Sequence, residues 1–407
     1  MENQAQRGLI YFITDRIAPD VTTNARLLLE LAQGLVRRGF EVTVWSSTPE
    51  DRKLHRPAVI DGVSVKRVYS PHFSRRIPLG RLGNSFVISP LLFLRLLVAK
   101  SPDVVMADTS SPFLALTALI LHYVRGWRFV YLATELYPDI AVELGYVKRR
   151  HPLTKLWEFT NRKIYVGAAR VVVIGERLKD VVSKYARAGT ADEKITVIHN
   201  WADGHRIAPI AKESNPFCQE HQLTGKFVVL YSGTLGWSHN LDTFVLAADR
   251  LQELEDLRFV FIGHGAGWNH LSEMVKQRDL ANVLVLPFQP EEIAPYSMAC
   301  GDLSIVTLQP GVDRLTIPSK LYSSLAAGQG IIVMMGESTD SSDLVHKHAI
   351  GFRVSQGDVD TMVRELRRLY DDRQLLATMQ QRARQTFDDY FGLERAIDEY
   401  VAVLCPR

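Results

Sequence analysis

Two successive series of short apolar runs, each run followed by a stretch of helical period, constrain this chain more than any other feature. Residues 8–13 (GLIYFI) predict a buried strand. Residues 22–38 follow, with Ala25, Leu28, Ala32, Leu35 and Val36 on a helical period and Gly39 as the stop. Residues 41–46 (EVTVWS) predict the next strand. Strand, helix, strand over short connections predicts a parallel βαβ unit. Further strands are expected at 103–107, 128–133, 170–174 and 195–198. A mixed, polar stretch at 202–225, with Pro209 and Pro216, reads as a linker. A second series then gives strands at 227–231, 258–262, 283–286, 302–307 and 331–335. Residues 393–404 (LERAIDEYVAVL) predict a last amphipathic helix. The reading is α/β: two doubly wound domains in tandem, divided near residue 200. In open sheets of this kind ligands bind beyond the carboxyl ends of the strands. The cleft between two such domains is then the expected site.

The 407 residues suffice for two or three domains with sizeable cores. Hydrophobic residues make up 46% and charged residues 23%, which excludes wholesale disorder. The net charge of +3 hides an asymmetry. Residues 1–200 hold 29 Lys and Arg against 18 Asp and Glu, and residues 201–407 hold 19 against 27. The basic half is the one expected to face something anionic. Arg75, Arg76 and Arg81 precede the apolar stretch 86–99, and Lys148, Arg149, Arg150 and Lys155 lie near Trp157. Such clusters suit an anionic leaflet or a lipid diphosphate; a solvated basic face is the alternative. Nucleic acid is not expected, because the cations are scattered and no zinc-finger or aromatic RNP-type pattern occurs. Cys218, Cys300 and Cys405 are far apart and odd in number, so reduced thiols are expected rather than a disulfide framework. No apolar stretch reaches the roughly 18–20 residues that span a bilayer, and the N-terminus lacks a signal-peptide pattern. A cytoplasmic protein, peripheral at most to the inner face of the membrane, is expected. The histidines show no metal-ligand spacing, and no nucleophile elbow or P-loop occurs.

Four segments carry candidate chemistry. In 310–328 (PGVDRLTIPSKLYSSLAAG) a helix is expected from Ser319 to Ala327, stopped by Gly328 and capped by Ser319. Lys320 then lies in its first turn, where a cation is disfavoured unless an anion such as phosphate binds there. A lysine pointing into solvent is the other reading. In 227–251 a strand runs into the loop 232–240, where Gly233 and Gly236 admit a ligand to the backbone and Asn240 can cap the next helix. His239 is a loop residue of either polar or ligand-binding role. In 262–267 (IGHGAG) Gly263 and Gly265 make a tight turn near a ligand, without the full dinucleotide fingerprint. In 134–145 (TELYPDIAVELG) Glu135 and Asp139 follow a strand; they suit sugar hydroxyls or a base, or Asp139 simply begins a helix.

Together these segments resemble the GT-B glycosyltransferases, and within them retaining glycosyltransferase family four. The subgroup is that of the bacterial O-antigen and exopolysaccharide transferases, related to fucosamine and colanic-acid fucosyl transferases. The resemblance rests on LLELAQGLVRRGFEVTV (28–44), ELYPDIAVELG (135–145), ITVIHNWAD (195–203), YSGTLGWSHNL (231–241), FVFIGHGA (259–266) and IPSKLYSSLAAG (317–328). They occur in family order along nearly the whole chain.

The resemblance implies a nucleotide-sugar donor, UDP ahead of GDP, held by residues 201–387. It implies a lipid-linked or polysaccharide acceptor held by residues 1–200, with a C-terminal helix at about 388–407 packing back on that domain. Transfer would retain the anomeric configuration, with no cofactor and no metal. Cations and helix N-termini would stabilise the leaving diphosphate, which would itself take the acceptor's proton. The family's Arg and Lys in the first glycine loop fall here at Thr234 and His239, beside Gly233, Leu235 and Gly236. Its pair of Glu residues seven apart falls at Leu315 and Ser323, with Asp313 the nearest acidic substitute and Asp343 at the later Glu. Gly263, Gly265 and Phe288 join the donor side, with Ser319, Lys320 and Leu321. A family His near the sugar falls at Thr134, so Thr134, Glu135 and Asp139 are the acceptor-side candidates, and Lys320 and Glu135 the catalytic ones. The departures keep open a sugar-nucleotide epimerase or hydrolase of the same fold, or a weakly active nucleotide-binding partner subunit.

Overall fold

The computed structural model describes residues 7–405 except 21, 50, 52–57, 75–77, 112, 186–190, 236–240 and 266. The described chain forms two compact units. One comprises residues 1–200 with 393–407, the other residues 201–392.

The first unit is built on an eight-stranded sheet. Its strands are β1 (Leu9–Ile13), β2 (Glu41–Ser47), β3 (Val59–Ile60), β4 (Val63–Val68), β5 (Val104–Asp108), β6 (Phe129–Ala133), β7 (Arg170–Val173) and β8 (Ile195–Val197). Their order is β3-β4-β2-β1-β5-β6-β7-β8, parallel except for the β3–β4 edge pair. β1, β5 and β6 are buried along their whole length, which is why they read as continuous apolar runs rather than alternating ones. The β3–β4 edge was not expected. Its run VSVKRV alternates with polar residues because its outer positions face solvent. Helices α1 (Thr23–Arg37), α2 (Pro78–Leu97), α3 (Leu114–Arg125), α4 (Asp139–Glu143) and α5 (Pro152–Gly167) follow β1, β4, β5 and β6. The Thr22 side chain caps α1 by accepting from Ala25 N–H at 3.2 Å.

The helix Leu393–Leu404 closes this unit against α1. Gly34 is required there, since a Cβ on it would stand 2.2 Å from Ile397 Cδ1. Arg38 binds Asp398 at 2.6 Å and Glu394 at 2.9 Å, and Arg128 donates to the carbonyl of Val403 at 3.0 Å. The chain returns to the first unit at Leu393 rather than near 388. The preceding helix, Arg373–Tyr390, belongs to the second unit, and the break falls at Phe391–Gly392, where Gly392 bridges to Ala202.

The second unit carries a six-stranded, wholly parallel sheet of order β11-β10-β9-β12-β13-β14. These are β9 (Phe227–Thr234), β10 (Leu257–His264), β11 (Val283–Leu286), β12 (Leu303–Thr307), β13 (Gly330–Met334) and β14 (Gly351–Arg353). The stretch 202–225 is not a bare linker. Asn215 accepts from Phe217 N–H at 3.0 Å to start the helix Pro216–Glu220, and its amide donates to Tyr296 O at 2.9 Å. Phe217, Cys218 and Leu223 are buried against Val228 and Leu230. Lys212 pairs with Asp302, which also accepts from Val228 N–H at 2.7 Å. A few apolar anchors in a polar background hid this packing from composition. The same fold packs Cys218 and Cys300, 82 positions apart, into one core cluster, where the Cys300 thiol donates to Ser297 O at 3.0 Å.

Truncating Ile397 to alanine empties a fully buried site between the C-terminal helix and α1. The expected loss is about 2–5 kcal/mol of stability in the first unit, read from denaturant unfolding.

Candidate functional site

In the second sheet the strand order reverses between β9 and β12, and a crevice for a ligand opens where such a reversal occurs. β9 ends there in Tyr231–Thr234. From β12 the chain runs through a loop to the helix Lys320–Ala326. These two segments bring Lys320 onto Tyr231. The ammonium Nζ sits 3.5 Å from the centre of the Tyr231 ring. It is enclosed and has no hydrogen-bond partner among the described residues. The Tyr231 hydroxyl donates to Thr234 O at 2.8 Å, which holds the ring in place beneath the cation. A Cβ on Gly233 would come within 3.2 Å of the same Nζ, so glycine keeps the space beside the ammonium clear.

A buried ammonium that makes only a cation–π contact is poorly solvated. Burial therefore pushes the Lys320 pKa down to about 7. The site wants an anion: negative charge beside Nζ would restore the lost solvation and favour the protonated form.

The basis for this differs from the one read in the sequence. The Ser319 side chain caps nothing, and its backbone is already helical. The helix that follows has seven residues, so little dipole is available at its start. The cation is not pointing into solvent: its Nζ is enclosed over the Tyr231 ring.

The other donor-side candidates divide by task. Gly263 and Gly265 let the end of β10 lie against β9: Cβ atoms there would stand 1.9 Å from Gly233 O and 2.5 Å from Leu235 O. Leu235 is buried and uses both its backbone groups on that packing, donating to His264 O at 2.8 Å and accepting from Gly267 N–H at 2.8 Å. These residues shape the loop. Asp313 does likewise. Its carboxylate accepts from Gly311 N–H at 3.1 Å and Gly336 N–H at 2.8 Å, tying the loop before Lys320 to the end of β13. Leu321 is core, and Ser323 is buried one turn beyond Lys320. Thr234 and Asp343 are exposed. Phe288 is exposed and meets the His264 ring edge-on, with centroids 4.7 Å apart. Gly236, His239 and Asn240 lie outside the described residues. Among the described residues, no three His, Cys, Asp or Glu side chains converge as for a metal.

In the first sheet the strand order reverses between β1 and β5. At their carboxyl ends lies a carboxylate that the sequence reading missed. Asp108 is buried and accepts from Thr14 Oγ1 at 2.9 Å, from Ser110 Oγ at 2.5 Å and from Ser110 N–H at 3.1 Å. Burial raises its pKa to about 6, against the pull of those hydrogen bonds. The available signal was the polar run Asp108–Ser111 directly after an apolar strand. Thr134 reaches the same edge through a 2.8 Å hydroxyl contact with Thr109. Glu135 beside it is exposed. Asp139 is committed elsewhere: it binds Arg149 at 2.9 Å and accepts from Tyr185 Oη at 2.7 Å. It lies in the first turn of α4, the position its second reading gave it.

Residues 25–206 match the family model described as Glycosyltransferase Family 4, and residues 214–386 match the one described as Glycosyl transferases group 1. The "Probable glycosyltransferase WbjE" of Pseudomonas aeruginosa is 26% identical over 319 residues, covering 78% of each chain. WcaI of Escherichia coli, assigned by its name to colanic acid biosynthesis, is 25% identical over 354 residues, covering 83% of this chain and 85% of that one. Among solved structures, HepE of Anabaena in complex with UDP-glucose superposes with a TM-score of 0.71 at 15% identity, covering 98% of this chain and 99% of that one. The fold is GT-B: two Rossmann-like domains.

Replacing Lys320 by methionine keeps the apolar stem and removes the unpaired charge. Since the folded pKa lies below the unfolded value of 10.5, the unfolded chain binds more protons between pH 7 and 10.5. The cost of the ammonium therefore grows as pH falls through that window and is complete below about 7. The methionine variant is expected to be more stable than wild type by on the order of a few kcal/mol at neutral pH and so to unfold at a higher temperature, with the gap closing above pH 10. Thermal unfolding across pH reads it.

Proposed function

We propose that this chain, which belongs to the glycosyltransferases through a Family 4 domain at its N-terminal end and a group 1 domain at its C-terminal end, moves a sugar from a UDP-sugar to a lipid-linked or polysaccharide acceptor of a cell-surface glycan. The observation that carries the donor half is the enclosed, unpartnered ammonium of Lys320 at the switch point of the second sheet. A diphosphate is the anion a nucleotide sugar brings. The solved complex of HepE with UDP-glucose supports the choice of uridine, and the naming of WcaI for colanic acid biosynthesis supports a surface polysaccharide. Phe288 offers an exposed ring where a nucleotide base can lie.

In the proposed reaction the bond between the sugar's anomeric carbon and the diphosphate oxygen breaks as an acceptor hydroxyl bonds to the same carbon from the same face. The anomeric configuration is retained, and the acceptor proton passes to the leaving diphosphate. Lys320 stabilises the negative charge that grows on the diphosphate. Because its solvation is already missing in the free enzyme, no reorganisation accompanies the reaction. Gly233 keeps room beside Nζ, Tyr231 supports it from below, and Asp313 holds the loop that delivers it. The proposal needs no metal. On the acceptor side, Thr134 and the Asp108–Ser110 edge offer hydroxyls and a carboxylate to a sugar.

Two measurements test this reading. Lys320→Ala is expected to lower kcat by about 10²–10³, as loss of one preorganised donor does elsewhere, with the fold retained by circular dichroism; unchanged turnover removes Lys320 from the mechanism. UDP-sugars carry a diphosphate diester that does not itself titrate near neutrality. Their affinity for the wild type is therefore expected to be flat below pH 7 and to fall by up to about tenfold per unit above it, with proton uptake on binding. Calorimetry in buffers of different ionisation heat reads both, and Lys320→Met is expected to bind weakly with no pH slope.

A further inference from the structure

The helices α2, α3 and α5 connect strands that progress in one direction across the first sheet, and right-handed crossovers put them on one face of it. α2 packs against α3, and α3 against α5. The outer surface of this layer is apolar where it faces water. On α2, Phe86, Pro90 and Leu94 stand four residues apart, and Val98 continues the stripe at 86% exposure. On α3, Ile120, Tyr123 and Val124 are exposed, Tyr123 at 72%. On α5, Leu153, Leu156, Phe159 and Val166 lie on the outward side. Scattered apolar side chains on a surface are ordinary, but side chains arrayed along three adjacent helices form a patch.

The charges on these helices have one sign. Across their length they carry Arg81, Arg95, Arg125, Lys155, Arg162 and Lys163 against a single acid, Glu158, which is already paired with Lys155 at 2.8 Å. Lys148 and Arg150 stand exposed just before α5. No helix of the described residues is long and apolar enough to cross a membrane. Exposed aliphatic and aromatic side chains interleaved with unopposed cations match a surface that is apolar below and anionic above. That is the interface of a bilayer containing acidic phospholipid.

We propose that the α2–α3–α5 face of the first unit is a membrane-docking surface for anionic phospholipid. Leu94, Leu156 and Phe159 enter the acyl boundary, and Arg95, Arg162 and Lys163 contact headgroups. The sequence had pointed to the basic clusters around this region. Arg75, Arg76 and the Arg81 side chain lie outside the described residues, and the face does not depend on them. It is independent of the transfer chemistry, so donor turnover with a water-soluble acceptor and no vesicles is expected to be the same in all variants below.

The test is flotation of the full chain with vesicles of phosphatidylcholine alone or mixed with phosphatidylglycerol, at low and high salt. Binding is expected only to the mixed vesicles, weakened by salt. Leu94→Asp and Leu156→Asp, both at exposed positions, are expected to leave the melting temperature unchanged and lower partition at least about tenfold. Arg95→Glu and Lys163→Glu are each expected to weaken it at least about fivefold, while the same reversal at exposed Arg382, in the second unit, leaves it unchanged. Absence of binding, equal binding to neutral vesicles, or losses no greater than at Arg382 would overturn the proposal. So would a dimer in solution that Leu156→Asp dissociates without any vesicle binding, which would give the face to a second copy of the chain.

Discussion

The enclosure of one ammonium group over a tyrosine ring is the constraint around which the second unit is arranged. Lys320 Nζ gives up water for a ring face and obtains no hydrogen bond from the described protein in return. The surrounding structure bears that cost through elements that are themselves well satisfied. Tyr231 lies on a central strand and is anchored through its hydroxyl, the loop before Lys320 is tied down by both oxygens of Asp313, and the short helix after it is buried almost throughout. A charge held in this way is preorganised for an anion, because the folded scaffold has already met the cost of stripping its water.

The same physical logic, with the sign reversed, operates at the corresponding edge of the first sheet. Asp108 is a carboxylate drawn out of water at the point where strand order reverses, and hydroxyls from two loops supply part of its lost solvation. Two parallel sheets thus each place a perturbed charge beyond the ends of their central strands. Strand ends of both flanks diverge there, and only there does backbone leave room for side chains to turn inward.

Legibility in the sequence followed burial. Strands enclosed on both faces, such as LIYFI and FVVLY, announced themselves as apolar runs, and their order gave the parallel topology. Elements with a solvent face, such as VSVKRV, did not, and neither did Phe217, Cys218 and Leu223, whose polar neighbours masked them. For Lys320, position in a helix suggested an anion; that its ammonium is sealed off has no counterpart in the sequence pattern. Asp139 and Asp313 looked like chemistry and proved to be held in ion pairs or loop ties. Asp108 looked like an ordinary residue after a strand, whereas its burial raises the carboxyl pKa.

Residue periodicity and spacing alone determined two doubly wound α/β domains, their division near residue 200 and the glycine-containing turns, because those features depend on contacts between near neighbours in the chain and on which faces are buried. Tertiary structure decided which charged groups lose their water, which carboxylates are spent on backbone amides, and which apolar side chains of α2, α3 and α5 remain outside. Each of those is a property of solvent exclusion by segments tens of residues away, and solvent exclusion has no local signature in a sequence.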